Sequence, residues 1–298
     1  MHPREPEAPA AWAPAAGTVA GLAVTGLVYV RGWRGLNARH PARFSVWRLA
    51  AFLAGLASIA LAVASPLDAA ADRTFSAHMV QHLVLLVLAP PLLLGGAPLV
   101  PVMRGLPRSV ARTLAQPILA SPLPRVLTHP AVGLTAITLA TWLWHVPAAF
   151  ELALHSELWH AIEHLSFVVS GVLFWWPVVQ PFPTPPRMPR WALLPYFLLA
   201  DLQNTVLAAL LTFSDRVLYP SYATLAGPAA ALEDQTLAGV LMWVPMSVAY
   251  LAPAVAVTVE LLSPRGDRSS APAARAVSSA APSAAAGRRG PRRGTGGR

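Results

Sequence analysis

Cysteine and lysine are both absent from the 298 residues. Without cysteine there are no disulfides and no thiolate ligands, so any metal site must be built from His, Met, Asp, Glu or backbone. Charge is scarce as well. Charged residues make up 12% of the chain, about half the ~25% of a soluble domain, while 55% of residues are hydrophobic and the mean hydropathy is +0.51. This composition excludes an ordinary soluble enzyme or binding module and gives an integral membrane protein.

The formal charge of +9 is carried by 22 arginines against 13 acids. We ascribe the exclusive use of arginine to a GC-rich genome rather than to mechanism. A pI of 11.2 raises nucleic acid as a partner. However, eight arginines fall in the last 34 residues and most others in short loops, which is the positive-inside pattern of a membrane protein and not a nucleic-acid groove. The expected surroundings are a lipid bilayer.

Seven apolar segments can be drawn, at 15–30, 47–64, 77–95, 131–150, 159–179, 191–213 and 235–257. Each is near the ~20 residues that cross ~30 Å of hydrocarbon, so the expected fold is an all-α, seven-helix transmembrane bundle. The loops set its orientation. Arg31, Arg34, Arg39, Arg43, Arg48, Arg104, Arg108, Arg112, Arg125, Arg187, Arg190 and the eight tail arginines fall on one side, and only Arg4, Arg73 and Arg216 on the other. This 19-to-3 division puts the N-terminus outside and the C-terminus in the cytoplasm. Residues 1–14 read as a short external tail, 15–262 as the membrane domain, and 263–298, rich in Ala, Ser, Pro, Gly and Arg, as a disordered cytoplasmic tail. The first segment lacks a basic n-region and runs straight into a basic loop, so it reads as a retained span rather than a cleaved signal. Trp33, Trp47, Trp175, Trp176 and Trp191 suit the inner interface, and Trp12, Trp144 and Trp159 the outer one.

That orientation turns scattered histidines into a layer. His78 and His82 lie at the outer start of the third segment, His145 near the outer end of the fourth, and His160 and His164 at the outer start of the fifth. At 1.5 Å per residue all five sit within about 10 Å of the outer surface. Two pairs have i, i+4 spacing, which puts both rings on one helix face. An intramembrane histidine needs a partner, a cavity or a ligand. Imidazole suits Cu, Zn, Fe and Ni, and the first-row affinity order favours copper. Met242, with Met79 and Met246, would add thioether donors that turn the choice toward Cu(I), the alternative being that Met242 and Met246 simply pack.

Other readings fit parts of the same pattern. His160 to His164 spells H-x-x-E-H, the motif of a zinc hydrolase with Glu163 as general base, though Glu163 beside ligands can equally orient an imidazole. A haem would want histidines facing each other across helices, which i, i+4 pairs do not require. Asp201 falls near the bilayer midplane within DLQNT, as a proton or ion relay or as a protonated, hydrogen-bonded acid. Asp234 and Gln235 open the last segment, as orienting partners of the metal-binding residues or as part of a relay. His155 reads as solvated in an outer loop, and His40 and His129 lie on the other side.

The run HMVQHLVLLVLAPPLLLGGAPL from His78, WHVP at Trp144 to Pro147, LWHAIEHLSFVVSGVLFWWPVV from Leu158 and DQTLAGVLMWVP at Asp234 to Pro245 resemble the multi-span, Bacillus-type CtaG family of cytochrome c oxidase assembly factors. The resemblance covers roughly 47–253. It implies a non-enzymatic, multi-pass protein of the bacterial plasma membrane that serves haem-copper oxidase biogenesis, with oxidase subunits and copper as partners. Copper delivery is the favoured explanation, and a copper transport or homeostasis protein is the alternative. The positions carried over are His78, His82, His145, His160, Glu163, His164, Asp234, Gln235 and Met242. Asp201 and His155 fall outside the pattern.

Overall fold

The structure, a computed structural model, describes residues 13–263. All but two residues of the expected N-terminal tail, and all but one of the Arg-rich tail, lie outside the described residues. Among the described residues the regular elements are all helices, joined by short loops, and there is no strand.

The main helices are α1 (Ala13–Arg39), α2 (Val46–Val63), α3 (Pro66–Ala71), α4 (Phe75–Gly95), α5 (Leu99–Gly105), α6 (Pro130–Trp144), α7 (Pro147–Leu154), α8 (Glu157–Val179), α9 (Arg190–Thr212), α10 (Pro220–Ala226) and α11 (Pro228–Leu262). Short helical pieces fill 108–127. Five of these, α2, α4, α8, α9 and α11, are long and apolar enough to cross a membrane, and α6 with α7 makes a sixth if that bent pair is one span. The 27-residue α1, where the first span is expected, is not among them.

The expected fourth segment, 131–150, is not one straight helix. α6 stops at Trp144, and α7 leaves at 77° to it. Pro147 is the cause. Its ring disfavours helical backbone at the preceding residue, Val146 is extended at φ −65° and ψ 124°, and Pro147 then opens α7. The 15 residues of α6 reach only ~22 Å, short of a ~30 Å hydrocarbon core, so α6 alone is too short for a span.

α8 packs along both α4 and α6, and two glycines let it approach. A Cβ on Gly171 would lie 2.7 Å from Pro90 Cγ and 2.9 Å from the Leu86 carbonyl oxygen, and one on Gly133 would lie 2.5 Å from the Leu173 carbonyl oxygen. Small residues at a crossing bring membrane helices into close contact. α4 itself is irregular, with a π-helical turn at Val84–Leu88 followed by Pro90 and Pro91. Pro90 has no N–H to give Leu86, four residues back. The Trp175 indole Nε1 donates to that carbonyl instead, at 3.1 Å.

Trp175 is therefore a buried packing residue, not an interfacial anchor, and Trp144 is likewise buried, its Nε1 donating to Ser166 Oγ at 2.8 Å. Both tryptophans satisfy a polar edge inside the bundle, which a rank based on position near a segment end does not reveal. Outward faces of the long helices expose Leu and Val, among them Leu198, Leu202, Val244 and Val248.

Candidate functional site

Helices α4 and α8 start at the same end of the bundle and α6 finishes there. The first turns of α4 carry His78 and His82, those of α8 carry His160, Glu163 and His164, and His145 is the residue that closes α6. The i, i+4 pairs point toward one another. Ring centroids are 4.3 Å apart for His78 and His82 and 4.2 Å for His160 and His164. Across the helices they are 5.6 Å for His78 and His160 and 6.0 Å for His82 and His164. His145 lies 6.4 Å from His82.

Glu163 sits at the centre and is fully buried. Its Oε2 lies 3.8 Å from His78 Nε2 and its Oε1 3.5 Å from His82 Nε2. Neither approach is a hydrogen bond, for both carboxylate oxygens, both nitrogens of His78 and of His82, and Nε2 of His145, His160 and His164 are buried without a hydrogen-bond partner. Leaving such a group unpaired costs about 1–3 kcal/mol each, so this concentration at one point is unusual for a packed core. Two donors bound to one ion at ~2.0–2.1 Å sit about 3.3 Å apart at a tetrahedral angle. The gaps of 3.5 and 3.8 Å are close to that. The potential ligand atoms form two sets, His78, His160 and Glu163, and His82, His164 and Glu163, each with all atoms within 4.8 Å of one another.

His145 differs from the other four. Its Nδ1 lies 2.6 Å from the Thr141 carbonyl, and since a carbonyl only accepts, Nδ1 carries the proton and Nε2 presents a lone pair. That is the tautomer a metal ligand needs. The Tyr219 hydroxyl holds the same residue from the other side, donating to its carbonyl at 3.1 Å. Ser166, the acceptor for Trp144, donates onward to the Glu163 carbonyl at 2.7 Å. This chain ties the end of α6 to the turn of α8 that carries His160, Glu163 and His164.

Asp234 and Gln235, on α11, support the cluster from outside it. The Asp234 carboxylate accepts from the amides of Phe75, at 2.6 Å, and Ser76, at 3.3 Å, and so caps the first turn of α4. Gln235 is buried; its Oε1 accepts from Leu218 N at 2.8 Å and its Nε2 donates to the Arg216 carbonyl at 3.2 Å, fastening the loop that leads to Tyr219. Met242 is buried in the large apolar cluster that includes Phe167, as are Met79 and Met246. Asp201 is partly buried and accepts from Ser247 on α11 at 2.6 Å, a helix-to-helix hydrogen bond. His155 is largely solvated, His40 is exposed, and His129 is an exposed cap whose Nδ1 accepts from Ala131 N.

Beyond Thr141, Ser166 and Tyr219, four more supporting residues escaped sequence reasoning. Gln81 Nε2 donates both to the Ala62 carbonyl and to Asp68 Oδ1, each at 2.7 Å, which locks α4 to the α2–α3 corner. Burial pushes Asp68 above the usual carboxylate range, and the Gln81 hydrogen bond opposes that shift. Phe150 packs on His78 at 4.9 Å and Phe167 on His82 at 4.3 Å. A glutamine between two histidines in an apolar run was a visible signal. The aromatic walls were not, because their partners are remote in sequence.

Among curated proteins the chain is 27% identical over 235 residues to the uncharacterized proteins Mb0105 of Mycobacterium bovis and MT0111 of Mycobacterium tuberculosis. It is 24% identical over 231 residues to the uncharacterized protein ML1998 of Mycobacterium leprae. Each match covers 74% of this chain but only 34–35% of the relative, so the chain spans about a third of the length of these proteins. No solved structure matches. The family model described as cytochrome c oxidase caa3 assembly factor (Caa3_CtaG) matches residues 27–263, with the whole histidine cluster and its supports inside the match. The chain belongs to the cytochrome c oxidase caa3 assembly factor family.

Proposed function

We propose that this family member is a seven-span protein of the bacterial plasma membrane that binds copper through its histidine cluster and hands it to a cytochrome c oxidase subunit. In this reading α1 is the first span, α6 with α7 the fourth, the N-terminus lies outside, and the C-terminus is cytoplasmic. The arginines support the orientation, since the loops at 40–45, 106–129 and 180–189 attach to the helix ends opposite the histidines, and only Arg73 and Arg216 of the described residues lie in loops at the histidine end. The histidines then open toward the side from which an extracytoplasmic copper centre is reached.

The observation that carries the proposal is the set of buried, unpaired imidazole nitrogens and carboxylate oxygens around Glu163. Copper is the cargo here. Nitrogen and carboxylate donors suit it and first-row affinity favours it, while the lack of thiolate leaves binding weak enough to reverse. Retention on one side, rather than passage through the bundle, is supported by what lies beneath the cluster. Phe167 covers the His82 ring, and Phe174 and Trp175 fill the next layer of the core. Asp201, engaged by Ser247, is in this reading a structural hydrogen-bond acceptor rather than an ion relay. Glu163, facing the α4 histidines from α8, acts as a ligand rather than as a hydrolytic base.

The test is metal analysis of the full chain purified in detergent, wild type against the His78→Ala, His82→Ala double variant. Copper retained by wild type and lost by the variant is the expected result. Equal copper in both would overturn the assignment. In cells lacking the protein, oxidase activity should fall at unchanged total cellular copper, whereas a fall in copper itself would favour transport.

A further inference from the structure

The cluster contains more donors than a four-coordinate ion can use, and they are arranged in two layers. α4 and α8 run in the same direction, so His78 stands opposite His160 and His82 opposite His164, one helical turn deeper. Each set of converging ligand atoms takes one ring from each helix and shares Glu163. The two carboxylate oxygens divide the same way, with Oε2 toward His78 and Oε1 toward His82.

Ring separations distinguish sharing across helices from sharing along one helix. Two imidazoles on one tetrahedral or more open ion, with metal–nitrogen bonds of ~2.0–2.1 Å, have centroids about 5–6 Å apart. The cross-helix pairs, at 5.6 and 6.0 Å, match this. The pairs along each helix, at 4.3 and 4.2 Å, fall short of it. Those two short spacings are instead close to the ~3.5–4 Å between ions in two-metal sites.

We infer that the cluster is a dinuclear site in which Glu163 bridges two metal ions, one held by His78 and His160 and the other by His82 and His164. This rests on the copper-binding reading above and adds its stoichiometry and internal order. A third imidazole lies beside the deeper position: His145 is 6.4 Å from His82, slightly beyond the spacing of two rings on one ion, with Nε2 presented by the Thr141 hydrogen bond, so it joins on a small inward shift. The shallower position includes His160, the least buried of the five rings. The deep ion is the retained one and the shallow ion the exchangeable one.

The experiment loads the full chain in detergent with Cu(II) alone, removes excess by gel filtration, and reads both copper per chain and the electron paramagnetic resonance spectrum. Wild type should hold two coppers whose carboxylate-bridged spins couple, suppressing the isolated Cu(II) signal. The His78→Ala, His160→Ala variant and the His82→Ala, His164→Ala variant should each hold one copper with an isolated signal, and the first should lose its copper to a chelator more slowly than the second. Glu163→Gln should uncouple whatever copper remains. If either double variant fails to fold, the wild-type stoichiometry and spectrum decide alone. One copper per wild-type chain with an isolated signal overturns the dinuclear site and leaves the proposed function intact. No copper in wild type overturns both.

Discussion

The carboxylate of Asp234 caps a helix to which it is not adjacent in sequence, accepting the Phe75 amide at 2.6 Å across 159 positions. Thr74, the local N-cap of α4, makes no side-chain capping bond, so the first turn of the histidine helix is held from α11. Loss of a cap costs about 0.5–2 kcal/mol. Asp234→Ala should lower Tm by an amount in keeping with that and weaken copper binding, because His78 sits one turn beyond the cap. A binding isotherm and a thermal melt on the same preparation check it. Unchanged copper affinity would show that Asp234 does not position the site.

Glu163 is a buried carboxylate without a hydrogen-bond donor, and an uncompensated polar group inside a protein is destabilising. Metal-free Glu163→Gln should therefore melt at or above the temperature of metal-free wild type. With copper present the order should reverse, since a ligand that binds the folded state stabilises it in proportion to its affinity. Paired melts with and without copper test both halves.

Gly171 marks the crossing of α8 over α4. Its replacement by Ala puts a methyl 2.7 Å from Pro90 Cγ and 2.9 Å from the Leu86 carbonyl oxygen, and overpacking of this kind costs about 1–3 kcal/mol. The helices must separate, and the cross-helix histidine pairs separate with them. Gly171→Ala should lower both Tm and copper stoichiometry, whereas Gly35→Ala, where a Cβ meets nothing within 4 Å, should change neither. Copper analysis of the two variants side by side separates a site effect from a general one.

Copper binding should weaken as pH falls, because protons compete for the imidazole nitrogens that must be free to ligate and binding releases them. The sign is set by this competition alone. Titration calorimetry in buffers of different ionisation enthalpy should register proton release that grows as the pH is lowered. Binding that strengthens on acidification would contradict imidazole ligation.

Orientation has a direct test, because the chain has no native cysteine. Ser214→Cys, at the histidine end, should react with a membrane-impermeant maleimide added to intact cells. Arg108→Cys, at the opposite end, should react only after the cells are broken. The reverse pattern would place the cluster on the cytoplasmic face.

Much of this was open to sequence reasoning because hydrocarbon imposes simple rules. Long apolar runs become helices since every backbone polar group must be satisfied within its own segment. The i, i+4 spacing puts His78 with His82 and His160 with His164 on common faces whatever their neighbours. The turn at His145 and Val146 was less legible, because Pro147 fixes a break but not the angle of 77° at which α7 leaves. The interfacial readings of Trp144 and Trp175 failed because each indole N–H has a private partner, Ser166 and the Leu86 carbonyl, brought by another helix.

By itself, then, the sequence determined the helical class, the grouping of five histidines at one end of the bundle and the family. These follow from periodicity, charge and local motif, properties that act over one or two turns. Only the tertiary structure decided that the α4 and α8 rings pair across helices in two layers, that Glu163 offers one oxygen to each, and that Asp234, Thr141 and Tyr219 hold the histidine-bearing elements in place. Contacts between residues tens to more than a hundred positions apart depend on how closely helices approach. That is set by side-chain volume at crossings such as Gly171, which no local pattern encodes.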